Sequence, residues 1–125
     1  MTVTRDGLRG ACVLVLEDDY LQASDLRVAL EAAGARVLGP FGNADEAAAA
    51  LAEVRPDCAV LDVNLGDGPS FAVPEALTQQ AVPFAFLTGY DADTIPDRFA
   101  DTPRFEKPVD AARVLAIAER LLRGT

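Results

Sequence analysis

The chain has no histidine among its 125 residues. That absence excludes imidazole acid–base catalysis, Ser-His-Asp triads and histidine metal ligands. Cysteine is nearly absent too. Cys12 and Cys58 each sit inside an apolar stretch with no second cysteine two to four residues away. This spacing excludes a zinc clip and a Cys-x-x-Cys redox pair, and reads both thiols as buried hydrophobes. Any metal must then be a hard cation held by oxygens. Basic residues are scarce: 11 Lys+Arg against 20 Asp+Glu give a formal net charge of −9 at pH 7. So acidic a surface repels phosphate backbones and anionic lipid, so neither nucleic acid nor a membrane is expected as a direct partner. No run of about 18 apolar residues is present to span a bilayer. The N-terminal MTVTRDGLRG lacks the apolar run and cleavage site of a secretory leader, and the expected compartment is the cytoplasm.

What is present suffices for one domain. Half of the residues are hydrophobic, enough to bury a core without metal or disulfide help. Residues 1–10 are polar with two glycines and are expected to form a flexible tail, leaving 11–125 as the domain. Short apolar runs at Cys12–Leu16, Val37–Leu38, Cys58–Leu61, Pro83–Leu87 and Arg104–Phe105 read as strands. The first and third are continuous rather than alternating, as in parallel strands covered on both faces. Helices are expected between them. Asp19 before Gln22 and Asn43 before Glu46 are capping-box spacings. Leu26, Ala29, Leu30 and Ala33 form one stripe that Gly34 ends, and Asp110 caps a last helix carrying Val114, Leu115, Ala118, Leu121 and Leu122. Ala44–Glu53 is helical by propensity. Ser70–Gln80 tolerates Pro74 only in its first turn. The fourth candidate, Ala92–Ala100, contains Pro96 and two aspartates and is expected to be short or irregular. Five βα units imply an α/β fold: a doubly wound parallel sheet with helices on both faces, its binding crevice at the carboxyl ends of the strands.

Those strand ends carry the chemistry. Glu17-Asp18-Asp19 follows the first strand and Asp62-Val63-Asn64 ends the third. Thr88-Gly89 ends the fourth and Lys107-Pro108 the fifth. Converging on one edge, they assemble carboxylates, a hydroxyl and one ammonium. Crowded carboxylates repel and raise one another's pKa. Lys107 alone cannot neutralise Glu17, Asp18 and Asp62. The deficit calls for a divalent cation with oxygen ligands, Mg²⁺ first, with Mn²⁺ or Ca²⁺ open. Mg²⁺ accepts a phosphate oxygen as a further ligand, so the pocket reads as a phosphoryl site. Asp19 is better read as a helix cap than as a ligand, and Asp67-Gly68 as a turn.

The four motifs VLVLEDD, AVLDVNLGDG, PFAFLTGY and FEKP, in this order, resemble the receiver domain of two-component response regulators over Ala11 to Arg123. The resemblance implies a flavodoxin-like five-stranded sheet of order 2-1-3-4-5. It implies Asp62 as phosphoacceptor, and Mg²⁺ bound by Asp62, Asp18 and the backbone carbonyl of Asn64, with Glu17 acting through water. Thr88 would bond the phosphoryl group and Lys107 would pair with it; Gly89 would leave it room, and a cis bond at Pro108 would aim Lys107. PFAFLTGY also resembles the FAT GUY subgroup of single-domain receivers, with Leu87 where that motif has Ala. The subgroup is associated with histidine kinases of the HWE or HisKA_2 type and with general stress signalling. One departure stands out. The switch aromatic that many receivers carry three residues before the lysine is Arg104 here, with Phe105 next to it and facing the other side of the sheet. Tyr90 is the alternative reporter of the phosphoryl group.

The expected function is a single-domain response regulator. It takes a phosphoryl group from a histidine kinase or histidine phosphotransfer protein and signals by protein contact, as a relay, a phosphate sink or a kinase modulator. It is expected to be a monomer or weak homodimer, and to dephosphorylate itself slowly rather than turn over a substrate. Two other classes compete. One is a pseudo-receiver, an interaction module independent of phosphate, which Arg104 leaves open. The other is a Mg²⁺-dependent aspartyl-phosphate hydrolase resembling the haloacid-dehalogenase-like phosphatases. Those carry the nucleophile in Asp-x-Asp after the first strand, whereas here the candidate follows the third and Asn64 replaces the general acid.

Overall fold

A computed structural model describes residues 8–63, 71–89 and 95–123. Five strands form one parallel sheet: β1 (Cys12–Leu16), β2 (Arg36–Phe41), β3 (Cys58–Asp62), β4 (Phe84–Thr88) and β5 (Arg104–Glu106), in the order β2-β1-β3-β4-β5. Among the described residues four α-helices accompany them, three between successive strands and one after β5: α1 (Tyr20–Ala32), α2 (Ala44–Leu51), α3 (Ala72–Gln79) and α4 (Ala111–Arg123). The expected fold class is therefore the observed one.

Strand alternation divides the core between the two sheet faces. Val13, Val15, Cys58, Val60, Ala85 and Leu87 point to one face, where α1 and α4 bury Leu26, Leu30, Val114, Ile117 and Leu121. Leu14, Leu16, Ala59, Leu61, Phe84 and Phe86 point to the other, under Ala47 and Leu51 of α2 and Val73 and Leu77 of α3. β3 and β4 are buried at every position, the consequence of helices on both sides.

The helix starts follow their caps. Asp19 Oδ1 accepts from the Gln22 N–H, Asn43 Oδ1 from Glu46 and Asp110 Oδ1 from Arg113. Pro74 sits in the first turn of α3, which begins at Ala72 rather than Ser70; Ser70 lies outside the described residues. In the stretch expected as a fourth helix, the described part holds only a 3-10 turn, Asp97–Phe99, directly after Pro96.

Two expectations need correction. The segment 1–10 is not a tail throughout. Residues 1–7 lie outside the described residues, but Leu8 is buried in the α1/α4-side core and its N–H donates to the Ala33 carbonyl. One leucine among polar residues docks because the α1 C-terminus leaves carbonyls for the chain to meet. Cys12 is only half-buried, whereas Cys58 is fully buried, and burial pushes the Cys58 thiol up to about 12.

The β1–β2 register breaks between Leu14 and Leu16 at Gly39-Pro40, a cis peptide. Gly39 has φ +104°, and a Cβ there would lie 2.7 Å from the Phe41 nitrogen, so only glycine fits. Past this irregularity the Phe41 carbonyl accepts from the Glu17 N–H at 2.9 Å. The edge strand thereby fixes the backbone of the first site residue.

Candidate functional site

The carboxyl ends of β1, β3, β4 and β5 meet at one edge, and Glu17, Asp62, Thr88 and Lys107 meet there as expected. Glu17, Asp62 and Thr88 are the buried polar or charged residues among those described. Lys107 Nζ stands 3.0 Å from Glu17 Oε1 and 3.1 Å from Asp62 Oδ2. Its backbone N–H donates to the Thr88 carbonyl at 2.7 Å, which extends the β4–β5 ladder to the lysine. The peptide bond between Lys107 and Pro108 is cis, as expected.

Glu17 is the hub of this arrangement. Its Oε2 accepts from the Asp19 N–H at 3.0 Å and from Lys107 Nζ at 3.3 Å. Asp19 thus caps α1 with its side chain and steadies Glu17 with its backbone, a role the cap reading did not reveal. The Glu-Asp-Asp run across a strand-to-helix junction was the available signal.

The electrostatics follow from burial. Desolvation first, then the neighbouring Glu17 charge, pushes the Asp62 carboxyl up to about 7, with Lys107 pulling the other way. Burial depresses the Lys107 ammonium, but its hydrogen bond to Glu17 and the charges of Asp62 and Glu17 outweigh that, leaving its pKa above the ordinary lysine value. Two buried carboxylates thus share one ammonium. The exposed Asp18 adds a third carboxylate: one oxygen from each of Glu17, Asp18 and Asp62 lies within 4.8 Å of the others. Three negative charges against one positive, with oxygen donors alone, is a donor set that fits a hard divalent cation.

The remaining expected residues divide. The Asn64 carbonyl and Tyr90 lie outside the described residues. Among the described residues, a Cβ at Gly89 would meet nothing within 4 Å. Arg104 is exposed and sits on β5 opposite Phe86; its guanidinium donates to the Phe99 carbonyl at 3.2 Å. Phe105 faces the other way, against the α1/α4-side core, with the Arg113 guanidinium 5.1 Å from its ring centroid.

A doubly wound sheet of this order, carrying an acidic pocket with one lysine at its carboxyl edge, has the architecture of a signal receiver domain. No protein-family model matches the chain. Individual proteins do. The solution structure of SdrG from Sphingomonas melonis Fr1 has a TM-score of 0.77 and 34% identity, covering 93% of this chain and 98% of SdrG. The signal receiver domain of a modulated diguanylate cyclase from Desulfovibrio desulfuricans G20 has a TM-score of 0.79 and 30% identity, covering 91% of this chain and 94% of that one. In sequence, the phyllosphere-induced regulator PhyR of Methylorubrum extorquens is 34% identical over 119 residues, 88% of this chain and 43% of PhyR. The chain thus spans less than half of the length of that curated relative. The chain belongs to the receiver-domain family of response regulators, the proteins of two-component signalling.

Proposed function

We propose that the domain accepts a phosphoryl group on Asp62 from a phosphohistidine donor, with Mg²⁺, and signals through protein contact. The observation that carries this reading is the placement of Lys107 between the buried Asp62 and Glu17 carboxylates, with Asp18 alongside. An Asp62 oxygen attacks phosphorus as the bond to the donor imidazole breaks, and that nitrogen departs with the electron pair. Lys107 neutralises charge on the transferring group, and the Thr88 hydroxyl donates a hydrogen bond to it. Asp18, Asp62 and the Asn64 carbonyl would hold Mg²⁺, with Glu17 acting through water; when bound, the ion would offset the charge of the carboxylates and the phosphoryl oxygens. The domain takes one phosphoryl group and loses it slowly to water, rather than turning over a substrate.

The donor is a histidine kinase or histidine phosphotransfer protein, and the FAT GUY-like stretch favours a kinase of the HWE or HisKA_2 type and a place in general stress signalling. The surface beside the site suits a protein partner. Tyr20, Leu21 and Val28, exposed by 82%, 73% and 59%, all lie on α1. Val28 also lines a groove of about 550 Å³, together with Asp25, Ala29, Pro108, Val109 and Asp110. Exposed apolar side chains on α1, beside a groove that carries Asp25 and Asp110, suit a helical partner carrying basic residues.

Incubation with a small acyl phosphate and Mg²⁺ separates the three classes of function. A receiver retains up to one phosphoryl group per chain and releases phosphate no faster than the label decays. A hydrolase releases many equivalents without retained label, and a pseudo-receiver does neither.

A further inference from the structure

Phe84, Phe86 and Thr88 alternate onto the same face of β4, so Thr88 stands directly past Phe86 on the α2/α3 side. Any displacement of Thr88 toward Asp62 frees volume on that face. Arg104 cannot fill apolar space beside Phe86 without burying its charge, and its guanidinium is held outward on the Phe99 carbonyl.

The rings nearby come from two separate segments. Phe71 caps the start of α3, nine residues after Asp62, and Phe99 lies in the 3-10 turn before β5. Their rings stack with centroids 5.9 Å apart and planes at 22°. Phe99 also meets Phe86 edge-on at 5.8 Å and Phe84 at 6.1 Å, while Phe71 meets Phe86 at 6.3 Å. Outside the rings, Arg98 pairs with Glu75 of α3 and lies 5.0 Å over the Phe99 ring. These contacts fasten residues 97–104 to α3 on both the buried and the exposed side.

We infer that α3 and residues 97–104 respond to phosphorylation as one body, with Phe99 as the ring that links them. The surface carrying Glu75, Arg98 and Arg104 is the face that changes. Phe99 here is a positioning residue, acting through Phe71 and Phe86 rather than on the phosphoryl group. The inference rests on the phosphoacceptor reading above, and linkage makes it reciprocal: weakening the ring contact changes how well the site holds a phosphoryl mimic.

Amide hydrogen exchange with and without beryllofluoride and Mg²⁺ tests this on the full chain. Signals from Thr88 and Lys107 report binding. The Glu75 amide, bonded to the Phe71 carbonyl, and the Ala100 amide, bonded to Asp97, report the two halves of the body. In the wild type both rates change together, by threefold or more. In Phe99→Leu the Glu75 response persists, the Ala100 response falls at least threefold, and beryllofluoride affinity shifts by a similar factor. Arg98→Gln, a surface change that leaves the core intact, weakens the link in the same direction. Binding that leaves both amides unchanged, or changes them equally in wild type and variants, overturns this inference and leaves the phosphoacceptor reading standing. Silence at Thr88 and Lys107 overturns both.

Discussion

Lys107, the only lysine in the sequence, stands between two carboxylates that are both removed from water. Its removal leaves Glu17 and Asp62 buried against each other, and unpaired buried charge is among the costlier defects in a fold. Lys107→Ala is expected to destabilise the metal-free protein by about 2–3 kcal/mol at neutral pH, with saturating Mg²⁺ restoring part of it; urea unfolding measures both. Asp62→Asn has the opposite sign. It removes one carboxylate and leaves a balanced Glu17–Lys107 pair, so the metal-free variant is expected to be more stable by about 1 kcal/mol and to lose most of its stabilisation by Mg²⁺. The pH dependence follows from linkage. The folded Asp62 carboxyl titrates near 7, above its ordinary 3.8, so between these values the folded state binds more protons than the unfolded. Its contribution is fully present below about 4 and is lost as pH rises through 7. Without metal, the stability difference between Asp62→Asn and wild type should therefore widen from pH 4 to pH 8; a difference flat across that window contradicts the assignment. Asp62, Asp18, Thr88 and Lys107 were legible in the sequence because each ends or follows a strand of a parallel sheet. The dominance of Glu17 was not. It depends on the Asp19 N–H and on a β2 register break at Gly39-Pro40 that no hydrophobic pattern encodes.

At the scale of elements, caps and continuous apolar runs carried most of the fold. Asp19, Asn43 and Asp110 all cap where the spacing placed them, since a side-chain acceptor three residues before an orphan N–H is a local matter. Asn43→Ala is expected to cost about 1 kcal/mol, measurable by thermal unfolding, without altering phosphoryl uptake. Asp19→Ala should cost a similar amount, its backbone N–H still holding Glu17. Less was legible where contacts are distant. Leu8 reads as tail by composition yet is core by position, because the carbonyl that its N–H meets, that of Ala33, lies twenty-five residues on. The phenylalanine cluster is likewise scattered over residues 71–99, and its individual members showed only as core.

At the scale of the molecule, the sheet gathers four strand ends at one edge and leaves α1 beside it with Tyr20, Leu21 and Val28 in water. No helix among the described residues is long and apolar enough to cross a membrane. Leu21→Asp and Val28→Asp are expected to slow phosphoryl transfer from a cognate kinase at least tenfold, while uptake from a small acyl phosphate stays unchanged, since that donor needs no docking face. Equal loss with both donors would move these residues from the docking surface into the fold. The central claim is that Asp62 is the acceptor. Its most direct test is intact-mass and peptide-mass measurement after incubation with a small acyl phosphate and Mg²⁺, on wild type and Asp62→Asn in parallel. The expected result is one added phosphoryl group on the wild type, located at Asp62, absent from the variant and prevented by chelator. No adduct on the wild type, or an equal adduct on Asp62→Asn, would contradict it.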